Sequence, residues 1–165
     1  MLLRSEENAA VALVHRRLGR LADGYRDAAR LARMRGWPGL ARMFDDLAAE
    51  RVAMCRRVGL LAEDLGSEPR DPDPERSYLA RMARRVRALL GADHQPRLVR
   101  ALEHEEDVLA AALAAALALD LPDRVASALA RIRTAMDRAR RQLAEARIAV
   151  SHAHPAGAVA VTSQT

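Results

Sequence analysis

The sequence has no lysine, one cysteine, two isoleucines and four aromatic residues (one Trp, two Tyr, one Phe) in 165 positions. Each shortage removes a class of explanation. A single thiol, Cys55, can close no intrachain disulfide and cannot assemble a cysteine-based zinc site, which fits a reducing compartment. Aromatic content of 2% leaves too few rings for a single-strand nucleic-acid platform, where bases stack on side chains. Few β-branched residues argue against a large β-sandwich. The missing lysine reads as a GC-rich coding bias rather than a mechanism. The longest apolar run, Val108 to Leu119, is twelve residues, against roughly twenty for a membrane span. Met1-Leu2-Leu3-Arg4-Ser5-Glu6-Glu7 lacks the charged start and apolar stretch of a signal peptide. A cytoplasmic chain with no membrane partner is expected.

What remains is a helical composition. There are 36 Ala and 23 Leu, and 27 Arg face 22 Asp and Glu for a net charge of +5. Such residues favour helix throughout, and the length suits one domain with one core. Residues 1–150 are expected to form that domain and 151–165 a small-residue tail. Breakers at Gly36-Trp37-Pro38, Gly66 to Pro69, Gly91 to Pro96 and Leu121-Pro122-Asp123 divide the chain. Ser5 and Asp73 have the chemistry of N-caps. Apolar residues recur at spacings of three and four within each segment. Val11, Val14, Leu18, Leu21, Tyr25, Ala28 and Ala32 mark the first helix. Leu40, Phe44, Leu47, Met54, Val58, Leu61 and Leu65 mark the second. Val99, Leu102, Leu109, Leu113 and Ala116 mark the third, and the stripe from Val125 to Val150 marks the fourth. A short amphipathic piece near 75–90 lies between the second and third.

Short joins make helices one and two antiparallel neighbours, and likewise three and four. The connection from 66 to 95 is long enough to cross the bundle, carrying the short helix with it. The predicted fold is therefore all-α: a ferritin-like up-down four-helix bundle of two hairpins and one long crossover.

Two charges interrupt the stripes. Arg51 falls on the inside position between Leu47 and Met54, and Glu106 between Leu102 and Leu109. Both sit mid-helix. Either they meet as a buried ion pair, which is the way a core tolerates charge, or Arg51 snorkels outward and Glu106 reaches solvent beside Glu105 and Asp107. Tyr25, on the inside of helix one, needs a hydroxyl partner that Arg51 or Glu106 could supply.

A di-metal centre in such a bundle needs inward carboxylates from all four helices, commonly with two Glu-x-x-His units. No Glu-x-x-His occurs. Asp23 and Asp137 fall well off their apolar stripes, Glu50 lies beside the seam and Glu103 off it. The metal alternative, iron or manganese, therefore rests on Glu50, Glu103 and Glu106; no cofactor is the first expectation.

Gly24-Tyr25-Arg26, Leu65-Gly66-Ser67-Glu68-Pro69, Glu105-Glu106-Asp107 and Leu121-Pro122 occur in that order. Their order and spacing resemble a bacterial ferritin-like four-helix-bundle family, a domain of unknown function, over roughly residues 8–147. The resemblance implies the same fold. The family tends to carry Gly-Glu-Asp where this chain has Glu105-Glu106-Asp107, and often His-Asp where this chain has Met136-Asp137. A thioether thus stands where the resemblance implies an imidazole.

Histidines 15, 94, 104, 152 and 154 are scattered, and no glycine-rich phosphate loop, nucleophile elbow or Cys–His pair occurs. Arg124, Arg131 and Arg138 recur every seven residues, as do Arg133, Arg140 and Arg147, giving helix four two basic ridges. Arg81, Arg84, Arg85 and Arg87 crowd the crossover. Along the chain the acids are interspersed with these arginines. The sequence points to a non-catalytic scaffold or interaction module that self-associates or meets a protein partner. Its alternatives are a carboxylate-bridged metal protein or oxidase and a Dps-like non-specific nucleic-acid binder.

Overall fold

The computed structural model describes residues 2–66 and 94–153, and the regular structure among them is helical. The helices are α1 (Leu2–Met34), α2 (Pro38–Asp64), α3 (His94–Leu117) and α4 (Asp123–Ala153). No helix among the described residues is long and apolar enough to cross a membrane.

The breakers at Gly36-Trp37-Pro38 and Leu121-Pro122-Asp123 act where the sequence puts them, whereas α3 starts at His94, inside the expected break from Gly91 to Pro96. α1 ends in a Schellman turn: Trp37 N–H donates to the Ala32 carbonyl at 2.8 Å and Gly36 N–H to the Arg33 carbonyl at 3.1 Å. Gly36 adopts φ +71°, which a residue without a Cβ reaches at no steric cost. Pro38 then opens α2, where its missing N–H would have been unpaired. Pro122 precedes α4 and its carbonyl accepts from the N–H groups of Val125 and Ala126 at 2.8 and 3.0 Å.

Two other boundaries differ from the sequence expectation. α1 starts at Leu2, so Ser5 lies inside the helix and does not cap it; Leu2, Leu3 and Arg4 are helix formers with no breaker among them. α4 continues through Ser151 and His152 to Ala153, with Ser151 Oγ donating to the Arg147 carbonyl at 2.8 Å. Residues 151–153, expected in the tail, are thus helical. The Asp73 cap, the 75–90 helix and its arginines lie outside the described residues, as do residues 154–165.

The stripes form one core. On α1 every marked position from Val11 to Ala32 is buried, and on α4 Val125, Leu129, Ile132, Met136, Ala139 and Leu143 are. Phe44 packs on Tyr25 with ring centroids 6.2 Å apart. Where α1 and α2 approach closely, Gly59 makes room for a ring: a Cβ there would lie 3.1 Å from His15 Nε2. One turn away the half-buried Cys55 thiol faces the His15 carbonyl at 3.6 Å.

Cross-helix pairs fix the directions. Arg33 meets Asp45 while Asn8 Nδ2 reaches the Leu65 carbonyl, so α1 and α2 run antiparallel. Arg140 meets Asp107 and Arg147 meets Glu103, so α3 and α4 do too. Arg124 meets Asp64 and Arg138 meets Glu50, which makes α2 and α4 antiparallel. α2 and α3 therefore point the same way, and the end of α2 and the start of α3 lie at opposite ends of the bundle. α1 packs on α2 and α3, and α4 on α3 and α2, closing a four-membered ring.

Candidate functional site, a buried polar layer

At mid-height the ring turns polar. Arg51 is the central residue of α2 and Glu106 lies at the middle of α3; both side chains are 0% exposed. Arg51 Nη2 and Nε donate to Glu106 Oε1 at 2.6 and 3.1 Å. Tyr25, on α1 at the same level, donates its hydroxyl to that same oxygen at 2.6 Å. The two charges meet in the core. Neither snorkels.

The layer continues outward. Arg51 Nη1 donates to Glu50 Oε2 at 3.3 Å and approaches Met54 Sδ at 3.5 Å. Glu50 Oε1 in turn accepts from Arg138 Nη2 on α4 at 2.7 Å. A continuous chain, Arg138–Glu50–Arg51–Glu106–Tyr25, thus crosses all four helices with its two positive and two negative charges balanced. Charge-assisted hydrogen bonds of this kind contribute about 1.5–3 kcal/mol each, which offsets part of the cost of taking both ions out of water. Glu106 Oε2 is buried and makes no hydrogen bond among the described residues.

Burial pushes the Tyr25 hydroxyl far above its ordinary value, and the adjacent Glu106 carboxylate pushes it further by charge and by accepting its hydrogen bond. The Arg51 charge opposes this weakly. Below about pH 10 the phenol is neutral in both states and its contribution to stability is complete. Above that pH the unfolded chain loses the proton while the folded chain keeps it. The unfolded state then binds fewer protons, so stability falls as pH rises, by up to about 1.4 kcal/mol per unit. Urea unfolding from pH 9 to 11.5 measures this slope, and Tyr25→Phe is expected to remove that part of it. An unchanged slope in Tyr25→Phe would assign the alkaline loss to another group.

The residues proposed from sequence as metal ligands do not converge. Glu50 and Glu106 are separated by the Arg51 guanidinium that binds both. Glu103 lies instead in a shallow groove between α3 and α4, with Asp107, Asp137, Arg140, Arg141 and Ala144, and pairs with Arg147. Met136 on α4 is 1% exposed and lies two residues before Arg138, which joins the layer through Glu50; the thioether in contact with the layer is that of Met54. The central donors are one arginine-bound carboxylate, a phenol and a thioether. Hard divalent cations need several oxygen donors, so this set does not fit iron or manganese. Among the described residues no group of three or more His, Cys, Asp or Glu could hold a metal ion.

The ridges on α4 have separate partners. Arg124 and Arg138 reach α2, through Asp64 and Glu50; Arg140 and Arg147 reach α3, through Asp107 and Glu103. Arg131 and Arg133 make no ion pair among the described residues. Sequence reading had placed Glu50 beside the seam without its bridging role. The signal was present, since Glu50 and Asp64 stand fourteen residues apart on α2, as Arg124 and Arg138 do on α4. Comparison of the chain with protein families, with curated proteins and with solved structures returns no match.

Proposed function

We propose that this chain is a non-catalytic scaffold or interaction module of the ferritin-like kind, self-associating or serving a protein partner. In this reading the Arg51–Glu106 pair takes the mid-bundle place where a metal centre would otherwise sit. The observation that carries it is the 2.6 Å contact between two side chains that are both wholly buried. The guanidinium supplies the positive charge, through two bonds to Glu106 Oε1. The hairpin directions support the ferritin-like part. So does the fact that Tyr25 and Glu106, both within the family landmarks, bond to each other.

Anaerobic titration of the full chain with iron(II) and manganese(II), followed by desalting and elemental analysis, tests this reading. The expected result is no stoichiometric retention of either metal. One or two equivalents held by the wild-type chain would overturn the reading in favour of the metal protein.

A further inference from the structure

The polar layer divides the bundle into two halves of different electrostatic character. On the side of the layer where α1 begins, α2 ends, α3 ends and α4 begins, each helix has an acid-free stretch next to the layer. Residues 8–22 of α1, 52–62 of α2, 108–117 of α3 and 124–136 of α4 contain no Asp or Glu. The same spans hold Arg16, Arg17, Arg20, Arg56, Arg57, Arg124, Arg131 and Arg133. Among the described residues, acids return at that end of the bundle, as Glu6, Glu7, Glu63, Asp64, Asp120 and Asp123. The other half mixes both signs and forms most of the surface ion pairs, including Arg26–Asp23, Arg33–Asp45 and Arg140–Asp107.

The groove between α2 and α4 locates the anomaly. Its ladder runs in heptads, with Glu50, Arg57 and Asp64 on α2 opposite Arg138, Arg131 and Arg124 on α4. The first and last rungs are ion pairs at 2.7 and 3.1 Å. Halfway between them, the register sets Arg57 level with Arg131. Both are exposed, and neither makes an ion pair among the described residues. A position that heptad logic would give to a carboxylate holds a second arginine.

The rung is part of a band. The α1–α2 pairs place Arg16 and Arg17 at the level of Arg57 and Val58, with Arg56 beside them on the next helix. Three of the four helices thus present arginine at one height, and α3 presents alanine there. We propose that this band is a binding surface for the phosphodiester backbone of a duplex nucleic acid.

The chemistry favours that occupant. Guanidinium groups match phosphate oxygens in pairs, and several arginines spread over convex helices suit a ligand with many phosphates rather than one. Among the described residues none of the band's positions is aromatic, so bases have no ring there to stack on, which leaves the backbone. A straight duplex would lie along one face of the band, over the α2–α4 groove that Arg57 and Arg131 line. The inference is independent of what fills the core layer.

Binding of the full chain to a 20-base-pair duplex, measured from 50 to 200 mM salt, tests the proposal. Four to five phosphate contacts predict a roughly 100- to 500-fold loss of affinity over that range, from a slope of about −0.9 per contact. Arg57→Glu is expected to weaken binding at least tenfold. It also completes the ladder opposite Arg131, so its melting temperature should equal or exceed that of the wild type, which separates lost binding from lost folding. Arg141→Glu makes the same charge change in the acid-bearing half and should cost less than twofold. Absence of duplex binding at 50 mM salt would overturn the proposal. So would equal weakening by Arg57→Glu and Arg141→Glu, or retention on anionic phosphatidylglycerol vesicles without duplex binding.

Discussion

Arg51→Ala is expected to destabilise the bundle by about 3–5 kcal/mol. The loss has two sources. Glu106 stays wholly buried after its cation is removed, keeping only the Tyr25 hydroxyl as a partner, with Oε2 still bare. Arg51 is also the largest of the fully buried side chains, so truncation opens a cavity among four helices that cannot all close on it. Glu50 is affected less, because Arg138 still holds it at the surface. Urea denaturation reads the change as a lower midpoint at unchanged slope. For a domain whose total stability is about 5–15 kcal/mol, a loss of this size leaves a large unfolded fraction on heating. A change below about 0.5 kcal/mol is what two solvated residues would give, and it would contradict the buried pair.

Replacing the whole layer should do the opposite. The triple variant Tyr25→Phe, Arg51→Met, Glu106→Leu removes both charges and the hydroxyl together, so nothing polar remains inside without a partner. Core ion pairs replaced by apolar groups of similar volume are often neutral or stabilising by about 1–4 kcal/mol, because the desolvation cost disappears with the charges. The expected midpoint is therefore at or above the wild type, well clear of Arg51→Ala. Met is flexible enough to fill the irregular space that the guanidinium leaves beside Met54. A triple variant as unstable as Arg51→Ala would mean that the network contributes more than its desolvation costs. If the triple variant is stable, the layer's contribution is to helix register: only one alignment brings Tyr25, Arg51 and Glu106 to the same height.

Much of the core was legible because helical periodicity is local. Val11, Leu18 and Tyr25 share a face at 100° per residue whatever they later pack against. The same arithmetic put Arg51 and Glu106 on inside positions, where two charges at mid-helix already stood out. It could not decide between a meeting and two separate escapes, because that depends on how helices fifty-five residues apart in sequence are juxtaposed. Nor could it assign Glu50. Its place beside the seam was legible, but its bond to Arg138 exists only because α4 runs antiparallel to α2 at that register. The caps were less secure for a related reason. Ser5 and Ser151 are good boundary residues, yet helix-forming neighbours and an i−4 back-bond carried α1 and α4 past them.

The sequence by itself determined four amphipathic rods, their breakers and the two charges on the inner stripe, since each follows from spacing along one helix. Only the tertiary structure decided that those charges bond through a single carboxylate oxygen with Tyr25. Only it decided, too, that acids interspersed along the chain are separated in space. The packing of the four helices aligns acid-free spans from four distant parts of the sequence between the polar layer and one end of the bundle, because charge adds up by distance and not by residue number.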